Sequence, residues 1–246
     1  MQVNFIAQNK YYLSIVIPAY NEENRLPNTL RKIKDYVERK NFRSEIIVVD
    51  DGSTDRTIEV IQKLDIPNLK IVSNSTNQGK GAAVKRGVLA ARGEYILFTD
   101  ADNSTPIEEL EKFLHRLGKD KILIGSRYLK GSKIMIKQPK FRIIIGRLGN
   151  YLIQKILPIG IKDTQCGFKL FPRMAAQEIF PRQRVKLFGF DFEILTIAKI
   201  LGYKIEEIPV IWINSPVSRI RPIRDAFRTF LDLIYVKINL LRGIYK

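Results

Sequence analysis

Cysteine and histidine are almost missing from this chain: its 246 residues hold one of each, Cys166 and His115. A lone thiol closes no internal disulfide, so nothing points to an oxidising compartment. A lone imidazole excludes multi-histidine metal centres. Any bound cation then falls to carboxylate oxygens, the donor set of Mg²⁺ or Mn²⁺. No run of about twenty apolar residues occurs, so no transmembrane helix is expected. The first residues, MQVNFIAQNKYY, lack the basic, apolar and small-residue order of a signal peptide. The chain is expected to start in the cytosol.

Acids are missing too, over one long stretch. From Lys121 to Lys162 the bases Lys121, Arg127, Lys130, Lys133, Lys137, Lys140, Arg142, Arg147, Lys155 and Lys162 occur with no Asp or Glu between them. Arg219, Arg221, Arg224, Arg228, Lys237, Arg242 and Lys246 repeat the bias near the end. The formal net charge is +17. Such a surface meets nucleic acid, anionic lipid or phosphorylated substrates. No recognisable RNA- or DNA-binding motif accompanies it, which weighs against a nucleic-acid partner.

The first half alternates short apolar runs with helical stretches. Strands are expected at Leu13–Ile17, Glu45–Val49, Leu69–Val72, Tyr95–Phe98 and Ile122–Ile124. Helices are expected at 25–39, 54–64, 81–91 and 106–117. This order predicts an α/β fold, a mostly parallel sheet flanked by helices. Ligands of such sheets bind beyond the carboxyl ends of the strands. The second half predicts a basic helix at 142–157, a strand at 165–171, a helix at 190–201 and a last strand at 205–213. Phe227, Phe230, Leu231, Ile234, Ile238 and Leu241 then recur at helical spacing on one face. That helix either packs on the core or lies in a membrane interface with its bases at the lipid surface.

Two acidic clusters and a third polar turn fall at strand ends. Asp100-Ala101-Asp102 follows the fourth strand, where two carboxylates can converge on a cation or a ribose. Asp50-Asp51-Gly52-Ser53 follows the second, and Pro18-Ala19-Tyr20-Asn21-Glu22 the first. Each also reads as an ordinary strand-to-helix turn. Asn77-Gln78-Gly79-Lys80-Gly81 fits neither phosphate-loop nor dinucleotide spacing, which leaves Lys80 as a pyrophosphate contact. Asp163 and Asp191 are the remaining candidate acids, Asp163 as a group that orients an acceptor or an arginine.

In order, IVIPAYNE, IIVVDDGSTD, NQGKGAAVKRGVLAARGEYILFTDAD and GSRY resemble family 2 glycosyltransferases of the GT-A fold. Further on, DTQCGFK, GFDFE and EIPVIW resemble the dolichyl-phosphate β-glucosyltransferases of the dolichol-phosphate mannose synthase superfamily. Ser104 stands where the mannose synthases place a glutamine, and the Gln-x-x-Arg-Trp string of processive synthases is absent.

The resemblance implies a nucleotide-sugar site of Pro18, Ala19, Tyr20, Glu22, Asp50, Asp51, Lys80, Asp100 and Ala101. It implies Asp102 as ligand of a Mg²⁺ or Mn²⁺ cofactor, and Arg127 and Arg142 as ligands of an acceptor phosphate. Asp102, Arg127, Asp163 and Asp191 are the expected catalytic group. The implied reaction is inverting transfer of glucose from UDP-glucose to dolichyl or another polyprenyl phosphate. The alternatives are a polyprenyl-phosphate mannosyltransferase using GDP-mannose and transfer to a hydroxyl, with Asp191 as base. The expected organisation is a catalytic domain over 1–215, its donor half at about 12–127 and acceptor half at about 128–215. A basic amphipathic helix over 216–246 follows, with peripheral or monotopic attachment at the cytoplasmic face of a membrane.

Overall fold

The apolar runs form strands, most of them buried on both faces; the strand Leu69–Ser73, at one sheet edge, is only partly buried. β1 (Tyr11–Ala19) and β2 (Ser44–Asp50) are almost wholly buried, as a sheet covered on both sides requires. The computed structural model describes residues 11–136, 140–214 and 222–246, and only the backbone of residues 140, 142, 222 and 223. The expected boundary at 215/216, the MQVNFIAQNK start, and Lys137, Arg219 and Arg221 lie outside the described residues. So does the side chain of Arg142.

After β1 come α1 (Leu26–Arg39), β2, α2 (Thr57–Gln62), β3 (Leu69–Ser73), α3 (Lys80–Ala90) and β4 (Gly93–Thr99). A 3₁₀ turn at Ile107–Glu109 leads into α4 (Leu110–Leu114), then β5 (Lys121–Ser126), β6 (Lys133–Ile136) and α5 (Lys140–Ile156). The chain continues through β7 (Phe168–Pro172), α6 (Arg173–Arg182), α7 (Phe190–Ile200), β8 (Lys204–Pro209), β9 (Ile211–Ile213) and α8 (Pro222–Leu241).

Seven strands form one sheet in the order β3-β2-β1-β4-β7-β5-β8. Only β7 runs antiparallel to its neighbours. From β1 the chain moves to β2 and β3 on one side, then returns to β4 on the other. That reversal opens a crevice at the carboxyl ends of β1 and β4. Successive residues of a strand face opposite sides. Ile15 and Ile17 therefore pack with α1 and α4, while Val16 packs with α3, α6 and α7.

Several expectations need correction. The helix expected at 54–64 begins at Thr57, because Thr54 and Asp55 give their N–H groups to the Asn21 side chain instead. The helix expected at 106–117 is a 3₁₀ turn and a five-residue helix. The strand expected at 205–213 is two strands. β8 pairs with β5, and β9 leaves the main sheet to pair with β6. Neither α6 nor β6 was expected; α6 is amphipathic only weakly and contains Pro181, and β6 is exposed along its length.

α8 has two faces. Leu233 and Val236 enter the core beside α7 and α3, and the helix also packs against α5. Phe227, Phe230, Leu231, Ile234, Ile238 and Leu241, the periodic set, are exposed. On α5, Phe141, Ile144, Leu148 and Tyr151 recur at the same spacing and are exposed too, as are Ile134, Met135 and Ile136 of β6.

Candidate active site

The crevice widens into a cavity of about 1190 Å³. It takes in Pro18, Ala19, Tyr20, Glu22, Asp51, Lys80, Asp100, Ala101, Asp102, Arg127, Asp163 and Asp191. Of the expected site residues with described side chains, only Asp50 does not line it. The Asp50 carboxylate accepts the Ser53 N–H at 3.3 Å and closes the turn after β2.

Backbone ties bring the strand ends together. The Asp51 N–H donates to the Ala19 carbonyl at 2.8 Å, and the Asn74 N–H to the Asp50 carbonyl at 2.8 Å. Asp51 is buried, and its carboxylate accepts from the Asn74 amide (2.7 Å), the Gln78 N–H (3.0 Å) and the Gly79 N–H (2.7 Å). It thus folds the 77–79 loop over the cavity. Gly79 has φ +107°, a conformation that glycine adopts without a Cβ penalty.

Lys80 follows and pairs with Asp100 at 2.7 Å. Burial works against its charge, but Asp100 and Asp191 outweigh it and hold the ammonium above the ordinary lysine value. Beneath lies a fully buried pair, Lys169 with Asp191, at 2.5 Å. Burial pushes the Asp191 carboxyl up, and the Lys169 and Lys80 charges offset only part of that rise. Lys169 also donates to the Cys166 carbonyl at 2.5 Å. Asp100 lies so close to Gly167 that a Cβ there would stand 2.0 Å from its Oδ2, which explains the glycine in DTQCGFK. Burial lifts the Cys166 thiol to about 12, leaving it protonated and unreactive at neutral pH.

Asp102 stands at the mouth. Its Oδ1 accepts the Ser104 N–H at 3.0 Å, and its Oδ2 is 3.6 Å from Arg25. Thr29 of α1 holds the turn by donating to the Ala101 carbonyl at 2.7 Å. Arg25 clasps both oxygens of Glu22, at 2.7 and 2.5 Å, so the Glu22 carboxylate expected at the nucleotide sugar is already engaged. Burial opposes the Arg25 charge, and Glu22 and Asp102 more than restore it.

Among the described residues no cluster of three or more His, Cys, Asp or Glu could hold a metal ion. The described residues therefore offer no full protein cage. Asp102 with Asp100 nearby fits the other arrangement, in which one or two carboxylates and substrate phosphates share a Mg²⁺-like ion.

The far end of the cavity is basic. Arg127 gives Asp163 two guanidinium bonds, at 2.7 and 2.8 Å, and its backbone N–H a third, at 2.8 Å. Burial alone would raise the Asp163 carboxyl, but the Arg127 charge and hydrogen bonds hold it below the ordinary value. Tyr128 and Trp212 flank the guanidinium at 5.7 and 5.5 Å from their ring centroids. Glu207 of β8 fixes the Asp163 backbone by accepting its N–H at 2.9 Å. Asp163 is thus a partner of Arg127.

Arg25 was not singled out by the sequence, and Lys169 and Trp212 stood there only as members of DTQCGFK and EIPVIW, without a role. Arg147, Arg224 and Arg228, read there only as part of the basic surface, line the cavity. The acid-free run around Arg147 and the basic bias around Arg224 and Arg228 were the available signals. The roles of Arg25 and Lys169 were not legible, because Asp102 and Asp191, which they face, lie on other elements.

Residues 14–180 match the family described as Glycosyl transferase family 2. A Dictyostelium discoideum protein named dolichyl-phosphate beta-glucosyltransferase is 37% identical over 250 residues, 96% of this chain and 76% of that one. The human protein of the same name is 35% identical, over 95% of this chain and 77% of its own. Mannosyl-3-phosphoglycerate synthase from Rubrobacter xylanophilus superposes with a TM-score of 0.70 at 16% identity, over 95% of this chain and 75% of that one. Glucosyl-3-phosphoglycerate synthase from Mycobacterium tuberculosis, in complex with Mn²⁺, UDP-glucose and phosphoglyceric acid, gives 0.66 at 20%, over 92% and 80%. These two likenesses concern the fold, which is GT-A-like. The chain belongs to glycosyl transferase family 2 and is a homologue of the dolichyl-phosphate beta-glucosyltransferases.

Proposed function

We propose that this glycosyltransferase moves glucose from UDP-glucose to a dolichyl or other polyprenyl phosphate, with inversion, at a membrane surface. One observation carries the reading: a single cavity has carboxylates at one end and an arginine cluster at the other. The relatives named above bear the name of that reaction.

The donor end is taken to hold the nucleotide diphosphate. Lys80 neutralises Asp100 and presents positive charge to the diphosphate. Asp102 would hold a divalent cation together with the donor's phosphate oxygens, and a bound cation supplies charge to the diphosphate leaving group. A lipid phosphate is anionic at neutral pH and needs no general base. It needs donors in fixed positions. Asp163 takes two of the five N–H donors of Arg127; the others, with Arg147, Arg224 and Arg228, are available to a phosphate. Asp191 is bound to Lys169, which disfavours it as the base of a hydroxyl-directed reaction and suits a positioning role beneath Lys80 and Asp100.

The deciding assay supplies Mg²⁺ or Mn²⁺, polyprenyl phosphate and a panel of labelled UDP- and GDP-sugars, followed by lipid extraction. Label from UDP-glucose is expected in the lipid phase. No lipid-linked sugar from any donor would refute the reading, and label from GDP-mannose alone would replace the donor.

The exposed apolar faces of α5, β6 and α8, bordered by Arg147, Lys155, Arg224, Arg228, Lys237 and Arg242, are taken as the membrane-contacting surface on the cytoplasmic side. No helix among the described residues is long and apolar enough to cross a membrane. Apolar burial and attraction to anionic lipid act together at such a surface. The protein is expected to float with phosphatidylcholine–phosphatidylserine vesicles at low salt, and less so at high salt as screening shortens the attraction. Failure to float at low salt would remove the membrane claim.

A further inference from the structure

Glu193 of α7 is fully buried, and the donor reading above gives it no task. Its carboxylate accepts the backbone N–H of Arg184 at 3.0 Å and of Val185 at 2.8 Å. It also accepts the phenol O–H of Tyr245 at 2.8 Å. Tyr245 lies beyond α8, brought back to the core by a turn at Gly243 with φ +68°. It is fully buried, and the Asn239 amide donates to its oxygen at 3.3 Å. Residues more than fifty positions apart thus meet in one buried polar cluster.

The segment held by Glu193 is the bed of the donor loop. The Gln183 amide donates to the Gly81 carbonyl at 2.9 Å, and the Ala82 N–H to the Lys186 carbonyl at 3.1 Å. Lys85 donates to the Gln183 carbonyl at 2.8 Å. The two backbones touch: a Cβ on Gly79 would stand 2.5 Å from the Lys186 oxygen, and one on Gly81 2.8 Å from the Val185 oxygen. Lys80 lies between these glycines and reaches Asp100 from there. With contacts this close, residues 183–187 cannot shift without moving Lys80.

We propose that Glu193 and Tyr245 are positioning residues for the donor site: their hydrogen bond fixes residues 183–187, and through them Lys80 in the diphosphate subsite. The inference rests on the donor reading given above. Removing the Tyr245 hydroxyl leaves one lone pair of a fully buried carboxylate unmatched. The carboxylate then relaxes and releases its grip on the Arg184 and Val185 N–H groups.

The test is calorimetric titration of the full chain with UDP in the presence of Mn²⁺, alongside thermal melting and transfer kinetics. The variants are Tyr245→Phe, which keeps the ring, and Glu193→Gln, which removes the charge and leaves one oxygen to accept from the Arg184 and Val185 N–H groups and the Tyr245 O–H. Tyr235→Phe, at an exposed tyrosine of α8, is the control. UDP affinity is expected to fall roughly 5- to 20-fold in Tyr245→Phe and further in Glu193→Gln. The KM for the sugar donor should rise in parallel while kcat at saturating donor stays within about 2-fold. Tyr235→Phe should match the wild type. Unchanged UDP affinity in Tyr245→Phe, even with a lowered melting temperature, would overturn the proposal and leave the cluster a stability element only. If Glu193→Gln does not fold, Tyr245→Phe decides alone. A wild-type chain that binds no UDP would instead overturn the donor reading, and this inference with it.

Discussion

Replacing Asp102 with alanine is expected to abolish transfer of labelled sugar to lipid, a loss on the order of 10²–10³-fold or more. Two contacts argue for this size of effect. The Ser104 N–H fixes one carboxylate oxygen, and the other faces the mouth 3.6 Å from Arg25. Asp102 is thus held yet incompletely neutralised, the condition of a carboxylate that can share a cation with substrate phosphates. The fold should tolerate the change, because Arg25 keeps its stronger partner, Glu22, at 2.5 Å. Asp102→Asn preserves the side-chain volume and an oxygen for the Ser104 N–H but not the charge, and should be nearly as inactive. Mn²⁺-dependent binding of UDP should weaken in both variants, measured by titration with and without the metal. A fully active Asp102→Ala enzyme would refute the metal role.

Arg127→Ala is expected to damage both acceptor use and stability, and Arg127→Lys separates the two. Asp163 is 1% exposed and depends on Arg127 for two side-chain hydrogen bonds. Removing the guanidinium strands a buried carboxylate, a loss of about 3–5 kcal/mol. For a chain of this size that lowers the melting temperature by roughly 10 °C. Arg127→Lys keeps the charge and most of the stability but loses the planar fork that grips Asp163 and a phosphate together. Its KM for polyprenyl phosphate should rise roughly 10- to 100-fold, as expected for losing a charge-assisted pair, with the donor KM within about 2-fold. An unchanged acceptor KM in Arg127→Lys would refute the acceptor role. The carboxyl of Asp163 is held below its ordinary value of 3.8. The pair therefore contributes its full stability above that value, and loses it only as the pH falls through the lower folded value. The contribution of the pair to stability should accordingly be the same at pH 6 and pH 8.

Strand ends were readable from the chain alone because apolar runs report burial on both faces, and the residue that closes each run reports where the backbone turns. IVIPAYNE, VVDDGSTD and FTDAD therefore placed Pro18, Asp51 and Asp100 at one edge of a parallel sheet before any coordinates. Motif order supplied the family. The amphipathic character of α8 was readable for the same reason: helical spacing shows that a face is apolar.

The sequence could not say what covers that face. Phe227, Phe230 and Ile238 face outward, while the shorter set Leu233 and Val236 packs on the core, because periodicity encodes a stripe and not its neighbour. Pairings between distant elements were equally closed to it. Asp50 and Asp51 are adjacent, yet one closes a local turn and the other folds the 77–79 loop, a difference set by the backbones of β1 and β3 alongside. Arg25 with Glu22 and Asp102, Lys169 with Asp191, and Glu193 with Tyr245 are charges and dipoles whose energies depend on burial and on partners brought from elsewhere. The sequence by itself determined the strand–helix order, the acidic donor edge and the basic excess. The tertiary structure alone decided which charge neutralises which, and which surfaces stay bare, since both depend on distances that no local pattern records.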